Sequence, residues 1–288
     1  VWIAVALSVL IGLALGLMGG GGSILAVPIL TYAVGLEPRE AIATSLLIVG
    51  TTSAFALWPH ARAGNVAWRT GLLFGATAMA GGYLGGRAAG WFSGSTLLLL
   101  FAAMMVATAL GMFRGRSSAA PGPWAGSPPV ALVVAEGLGV GAATGLVGAG
   151  GGFLVVPALV LLGGMDMHRA IGTSLLVIAL KSFAAYAGHA VDVPVDLALA
   201  GAVTAGAVLG ALAGAQLASR VPGASLRRGF GVFVLAMAGF IVWRETGASA
   251  AAWVVDNRWI AGLWGVVLAA LGLGALARAP EREHPAPR

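Results

Sequence analysis

Cysteine is absent from the 288-residue chain, and charged residues make up only 9% of it. Without a thiol there is no cysteine nucleophile, no disulfide scaffold and no Cys-rich zinc or iron–sulfur site. Soluble globular domains carry about 25% charged residues, so an ordinary cytosolic enzyme is excluded, and the apolar content excludes a disordered chain. Lysine is scarcer still, with Lys181 the only one, and the net charge of +6 comes almost entirely from arginine. Those arginines stand singly or in pairs between apolar runs, so the contiguous basic face that nucleic acid requires is missing. HExxH, GxSxG, Gly-Lys-Ser/Thr and GxGxxG are also absent. The residues therefore imply no enzyme, no resident metal and no cofactor.

What is present is hydrophobic residue, 59% of the chain, together with 46 glycines. The apolar residues fall in runs of about 18 to 20, the length needed to cross a bilayer. The start, Val1-Trp2-Ile3, has no basic region before it and no small-residue cleavage site after it, so it reads as a span rather than a signal peptide. The expected partners are a lipid bilayer and a small solute, not nucleic acid.

The sequence repeats itself. Residues 16–30 (GLMGGGGSILAVPIL) match 145–159 (GLVGAGGGFLVVPAL), with Pro28 on Pro157 at an offset of 129 (157 − 28). The same offset lays Ala41-Ile42-Ala43-Thr44-Ser45-Leu46-Leu47 on Ala170-Ile171-Gly172-Thr173-Ser174-Leu175-Leu176, and pairs Ser53 with Ser182, His60 with His189, Gly81 with Gly210 and Gly85 with Gly214. Shared hydrophobicity does not align Pro, Thr-Ser, His and spaced glycines at one offset, so the chain is read as a duplication. The expected organisation is a first repeat at 1–116, a connecting loop at 117–129, a second repeat at 130–245, and an extra span with its tail at 246–288.

Each repeat divides into five apolar segments, near 1–18, 23–35, 41–58, 70–90 and 95–113, then 130–147, 152–164, 170–188, 197–219 and 226–243, with an unpaired eleventh at 259–277. An odd number of segments turns the second copy upside down. Charge supports this. With the N-terminus outside, Arg62, Arg69, Arg114, Arg116, Arg169, Arg220, Arg227 and Arg228 fall on the cytoplasmic side, while the outer side keeps Arg39, Arg87, Arg244 and Arg258 and carries Asp192 and Asp196. The predicted fold is an all-α polytopic membrane protein of two inverted repeats, a plan in which a substrate site lies near the midplane between the copies.

The second segment of each repeat has about 13 residues, roughly 20 Å of helix, and cannot cross a core of about 30 Å. It is expected to stop at half depth, entered through Gly19-Gly20-Gly21-Gly22-Ser23 or through Gly148-Ala149-Gly150-Gly151-Gly152. A glycine-rich turn opening a helix offers free N–H groups and a positive dipole end, which suit an anion; close helix packing is the competing role. Thr44-Ser45 and Thr173-Ser174 lie about two turns into the third segments. Thr52 follows Ser45, and Lys181 follows Ser174, by seven residues, so each pair shares a helix face.

A lysine at the centre of a span costs about 2.5 to 3.5 kcal/mol on insertion scales. Lys181 is thus the most informative residue, with three readings open: binding an anionic substrate, a salt bridge to Glu136, or snorkelling to the interface. Glu136 is also a candidate to carry a coupling proton. His60 and His189 fall at opposite membrane faces under inversion, so each is read as a hydrogen-bonding residue rather than half of a metal site. The candidate substrate-binding set is then Gly19, Gly20, Gly21, Gly22, Ser23, Thr44, Ser45, Thr52, Gly148, Gly150, Gly151, Gly152, Thr173, Ser174 and Lys181.

Over about residues 5–245 these features resemble the TauE/SafE family of sulfite-exporter-type membrane proteins. The resemblance rests on the duplicated G-x-GGG-hydrophobic-P-x-L stretch (19–30 and 148–159), the duplicated A-x-x-TSL stretch (41–46 and 170–175), and His60-Ala61-Arg62-Ala63-Gly64-Asn65-Val66-Ala67-Trp68-Arg69. It implies multi-pass transport of small anions, typically sulfur oxyanions or organosulfonates, across the bacterial inner membrane. Two features depart from the family pattern: Ala67 stands where an acid often precedes the Trp, and the 259–277 span lies outside the repeat pair, as an oligomer contact or a lipid-facing addition. The expected function is a transporter, with an anion channel of the same lining residues as the alternative.

Overall fold

The computed structural model describes residues 2–114, 130–147, 152–191 and 193–246. The 117–129 connection, Gly148, Gly150, Gly151 and the 259–277 span lie outside the described residues. The described chain is all-helical, with ten α-helices in order: α1 Trp2–Met18, α2 Gly21–Pro28, α3 Pro38–Arg62, α4 Trp68–Ala89, α5 Gly94–Arg114, α6 Val130–Val147, α7 Gly152–Pro157, α8 Met167–His189, α9 Leu197–Ala218 and α10 Gly223–Thr246. Six of them, α3, α5, α6, α8, α9 and α10, are long and apolar enough to cross a membrane.

Local sequence explains the boundaries. Pro38 opens α3 at its first helical position, where a missing N–H removes nothing. Asp166 caps α8 by accepting from the Arg169 N–H at 3.1 Å, and Asp196 caps α9 by accepting from the Ala198 and Leu199 N–H groups at 2.9 and 3.1 Å. Gly35, at φ 86°, supplies the left-handed turn between the second and third segments.

The second segments are short, as expected, but not uniformly α-helical. Eight α-helical residues in α2 are followed by six in a π-helix, Ile29–Val34, and six in α7 by five in Ala158–Leu162. Each change comes directly after a proline, Pro28 or Pro157. A proline inside a helix has no N–H to return to the preceding turn and its ring crowds that turn, so the winding loosens there. The first widened turn is anchored to α10: Tyr32 donates its hydroxyl to Glu245 Oε1 at 2.7 Å, meets Phe240 edge-on at 5.6 Å, and lies under the Arg244 guanidinium at 4.9 Å.

The closest helix pairs are α1 with α9 and α4 with α6, and glycine makes both possible. A methyl group added at Gly12 or Gly16 of α1 would overlap the carbonyls of Ala207 and Ala211, and one added at Gly210 or Gly214 would overlap those of Val9 and Leu13. In the other pair Gly141 and Gly145 abut Ala78 and Gly82, while Gly81 and Gly85 abut Leu138 and Ala142. Small residues let helix backbones touch where lipid gives no hydrophobic drive for association. Each of these contacts maps onto its counterpart by the offset of 129 (141 − 12). The first segment of one sequence run is thereby packed on the fourth segment of the other.

The same offset relates the ties at the helix ends. His60 Nε2 donates to Gly16 O at 3.2 Å and His189 Nε2 to Gly145 O at 2.9 Å, closing the carbonyl-rich end of the first helix in each run. Arg39 donates to the carbonyls of Gly90 and Phe92, and His168 to that of Val221. Both terminal histidines are buried. Helices α3 and α8 pack on each other, α10 packs on α5, and α2 and α7 touch each other.

Candidate functional site

The chain leaves α1 through Gly19, whose φ of 68° is the left-handed conformation that side chains resist. Gly19 is held against α8: an added methyl would stand 2.7 Å from Ser174 Oγ and 2.9 Å from Ile171 Cα. The Ser174 hydroxyl lies 2.7 Å from Ile171 O and 3.1 Å from Gly19 O, so its one proton is shared between its own helix and the turn. The next residue, Gly20, lies directly on Gly152, and a methyl on either would overlap the other's backbone. The glycine-rich turn of the first run thus meets the start of α7 and the serine of the second A-x-x-TSL stretch.

The four glycines of 19–22 divide by role. Gly19 and Gly20 face the second run, whereas methyl groups at Gly21 and Gly22 would run into the Ala14 and Ile11 carbonyls of α1. Those two are packing glycines. Ser23 donates its hydroxyl to Gly20 O at 2.7 Å, bracing the turn, and Ser45 donates to Ile42 O at 2.8 Å.

The paired threonines also diverge. Thr173 Oγ1 accepts from the Ala67 N–H at 2.9 Å, whereas the buried Thr44 hydroxyl has no hydrogen-bond partner among the described residues. The counterpart of Ala67 at the offset of 129 (196 − 67) is Asp196. Ala67 brings no carboxylate to the start of α4, and its N–H is held by Thr173, while Asp196 caps α9 with its own side chain. Thr52, one residue-equivalent of Lys181 by the offset of 129 (181 − 52), is fully buried and likewise lacks a partner.

Lys181 is fully buried in α8 and its ammonium donates to Thr144 Oγ1 of α6 at 2.6 Å. Thr144 in turn donates to Val140 O at 2.7 Å. The ammonium therefore engages Thr144, while Glu136 stands part-buried two turns earlier on α6. One hydroxyl satisfies one of three ammonium donors, which leaves two for another acceptor. Lys181 with Thr144, and Ser174 with the Gly19 turn, are thus two separate polar contacts of α8 with its neighbours.

The sequence did not point to Thr144 as the partner of Lys181, because its counterpart at the offset of 129 (144 − 15) is Leu15 and only the approach of α6 to α8 brings it to Lys181. Among the described residues, no group of three or more His, Asp or Glu side chains is placed to hold a metal ion.

Residues 4–241 match the family model described as sulfite exporter TauE/SafE. A probable membrane transporter protein of Xylella fastidiosa (strain 9a5c) is 38% identical over 244 residues, covering 82% of this chain and 92% of its own length. The probable membrane transporter protein YdhB of Bacillus subtilis is 26% identical over 217 residues, covering 74% and 88%. MJ0441 of Methanocaldococcus jannaschii, also a probable membrane transporter protein, is 27% identical over 186 residues, covering 61% and 68%. No solved structure matches the chain. The matched length, the identity to these relatives and the helical spans together make this chain a member of the sulfite exporter TauE/SafE family, multi-pass membrane transporters and not enzymes.

Proposed function

We propose that the protein exports a small anion, a sulfur oxyanion or organosulfonate such as sulfite, across the bacterial inner membrane by alternating access. The observation that carries this reading is Lys181: a fully buried ammonium in a membrane helix, engaged by the Thr144 hydroxyl, with two donors left over. A cation kept at that depth against its insertion cost of about 2.5 to 3.5 kcal/mol selects a negative solute. Pyramidal and tetrahedral oxyanions accept several short hydrogen bonds, which suits Lys181, the Thr52 hydroxyl and the turn at Gly19 and Gly20.

In this proposal the two sequence runs are inverted copies, supported by their odd segment count, by the charge of their loops, and by matched contacts at one offset. The moving bodies differ from the two runs themselves. Because α1 packs on α9 and α6 on α4 through backbone contact, one run cannot slide as a unit against the other. The division that the packing supports sets α1, α3 and α9 against α4, α6 and α8, the two groups meeting where α3 packs on α8. The direct contact of Gly20 with Gly152 favours a carrier that must open there over a standing channel.

The test is uptake of radiolabelled sulfite into proteoliposomes by wild type and Lys181→Ala. Saturable flux that responds to a pH gradient, reduced at least about tenfold by the substitution, is the expected result. Unchanged rate and affinity would remove Lys181 from the site, and ohmic current in a planar bilayer would replace the carrier with a channel.

A further inference from the structure

Ser53 of α3 and Ser182 of α8 are fully buried, and neither hydroxyl has a hydrogen-bond partner among the described residues. The buried hydroxyls of Thr31, Thr44, Thr52 and Thr108 are in the same state, whereas other helical hydroxyls are not. Ser45, Ser174, Thr77, Thr144 and Thr204 all donate to a carbonyl three or four residues back on their own helix, which is the ordinary refuge of a hydroxyl in a helix. A buried polar group without a partner is costly and calls for an explanation.

The two serines correspond at the offset of 129 (182 − 53), so the orphaned hydroxyl occurs in both runs. They also share a place. A methyl group added at Gly50 of α3 would stand 3.2 Å from Ser182 Cβ and 3.4 Å from the Phe183 ring, so Ser182 lies in the α3–α8 seam. Ser53 is three residues after Gly50 and shares its helix face. Beside them in sequence stand Thr52, a further buried hydroxyl without a partner, and Lys181, whose ammonium turns to Thr144 of α6.

We propose that Ser53 and Ser182 are oxyanion ligands, one from each run, which take up substrate oxygens when α3 and α8 separate at Gly50. This deepens the anion-transport reading and rests on it. The chemistry follows from the donor set. The serines give two neutral donors related by the duplication, so the seam matches a compact anion with several equivalent oxygens, such as sulfite or an alkylsulfonate. The Gly50–Ser182 contact leaves no room for such an anion while the seam is shut, so binding and helix separation are one event.

The experiment uses the full chain in proteoliposomes and in detergent, with sulfite and methanesulfonate as probes. Ser53→Ala and Ser182→Ala are each expected to raise KM about tenfold, the value of one lost hydrogen bond to a charged acceptor, with kcat within about twofold. Each is also expected to leave the ligand-free melting temperature unchanged or higher, since the lost hydroxyl had no partner, and to shrink the stabilisation that the probe confers. A lower ligand-free melting temperature with an unchanged KM would overturn the proposal by making the hydroxyls structural. Serine variants that behave as wild type while Lys181→Ala abolishes uptake sink the seam and leave the anion-transport reading standing. Shifted KM in the serine variants with Lys181→Ala silent keeps the seam and removes Lys181. A wild type that neither moves nor is stabilised by either probe overturns both.

Discussion

Lys181 and Thr144 make a hydrogen bond that exists on one side of the duplication only, since the offset places Thr52 and Leu15 at the corresponding positions. Removing one partner leaves the other stranded in an apolar interior, and a hydrogen bond to a charged group is worth about 1.5 to 3 kcal/mol. Thr144→Val is therefore expected to lower the melting temperature and cut sulfite uptake about tenfold or more, while Thr144→Ser, which keeps the acceptor, stays near wild type. The double variant Lys181→Met/Thr144→Val removes both polar groups and is expected to recover the stability lost by Thr144→Val without recovering uptake. Melting curves and flux measured on the same preparations check this; recovery of uptake in the double variant would show that the ammonium is structural. Lys181 was legible in the sequence because a lysine in an apolar run is conspicuous by its insertion cost. Thr144 was not, because a hydroxyl in an apolar helix carries no signal until the neighbouring helix is in place.

At the scale of elements, the short second helices were legible from length alone, and their prolines explain the π-helical turns that length did not reveal. The glycines were less transparent. In sequence Gly19 to Gly22 form one run, but the fold sets Gly19 and Gly20 against the second run and Gly21 and Gly22 against α1. Gly20→Ala forces a methyl group onto the backbone of Gly152, which cannot rotate away, so folded yield is expected to collapse. Gly139→Ala and Gly201→Ala, in α6 and α9, meet nothing within 4 Å, and each is expected to fold normally with a gain of about 0.5 to 1 kcal/mol from lower chain entropy. Size-exclusion profiles and melting temperatures of the three variants separate these cases. A well-folded Gly20→Ala would disprove the contact between the two glycine-bearing turns.

For the whole molecule, the missing cysteine is an experimental convenience: any thiol introduced is the only one. Ala63→Cys and Val191→Cys place it at exposed positions after the third segment of each run, which inversion assigns to opposite sides. A membrane-impermeant maleimide is expected to label Val191→Cys in intact cells and Ala63→Cys only after permeabilisation, and labelling of both from one side would refute the inversion. Apolar run lengths, prolines, polar caps and the 129-residue offset are local properties, so the sequence by itself determined the helical class, the segment boundaries, the short second segments and the family. Which helices touch depends on backbone approach between segments far apart in the chain, and that information is spread over both partners. Only the tertiary structure decided that α1 locks on α9 and α6 on α4, that Lys181 meets Thr144, and that Ser53 and Ser182 are left without partners. The physical reason is the same in each case: in an interior of low polarity, a polar group or a glycine acquires its role from the atom placed opposite it.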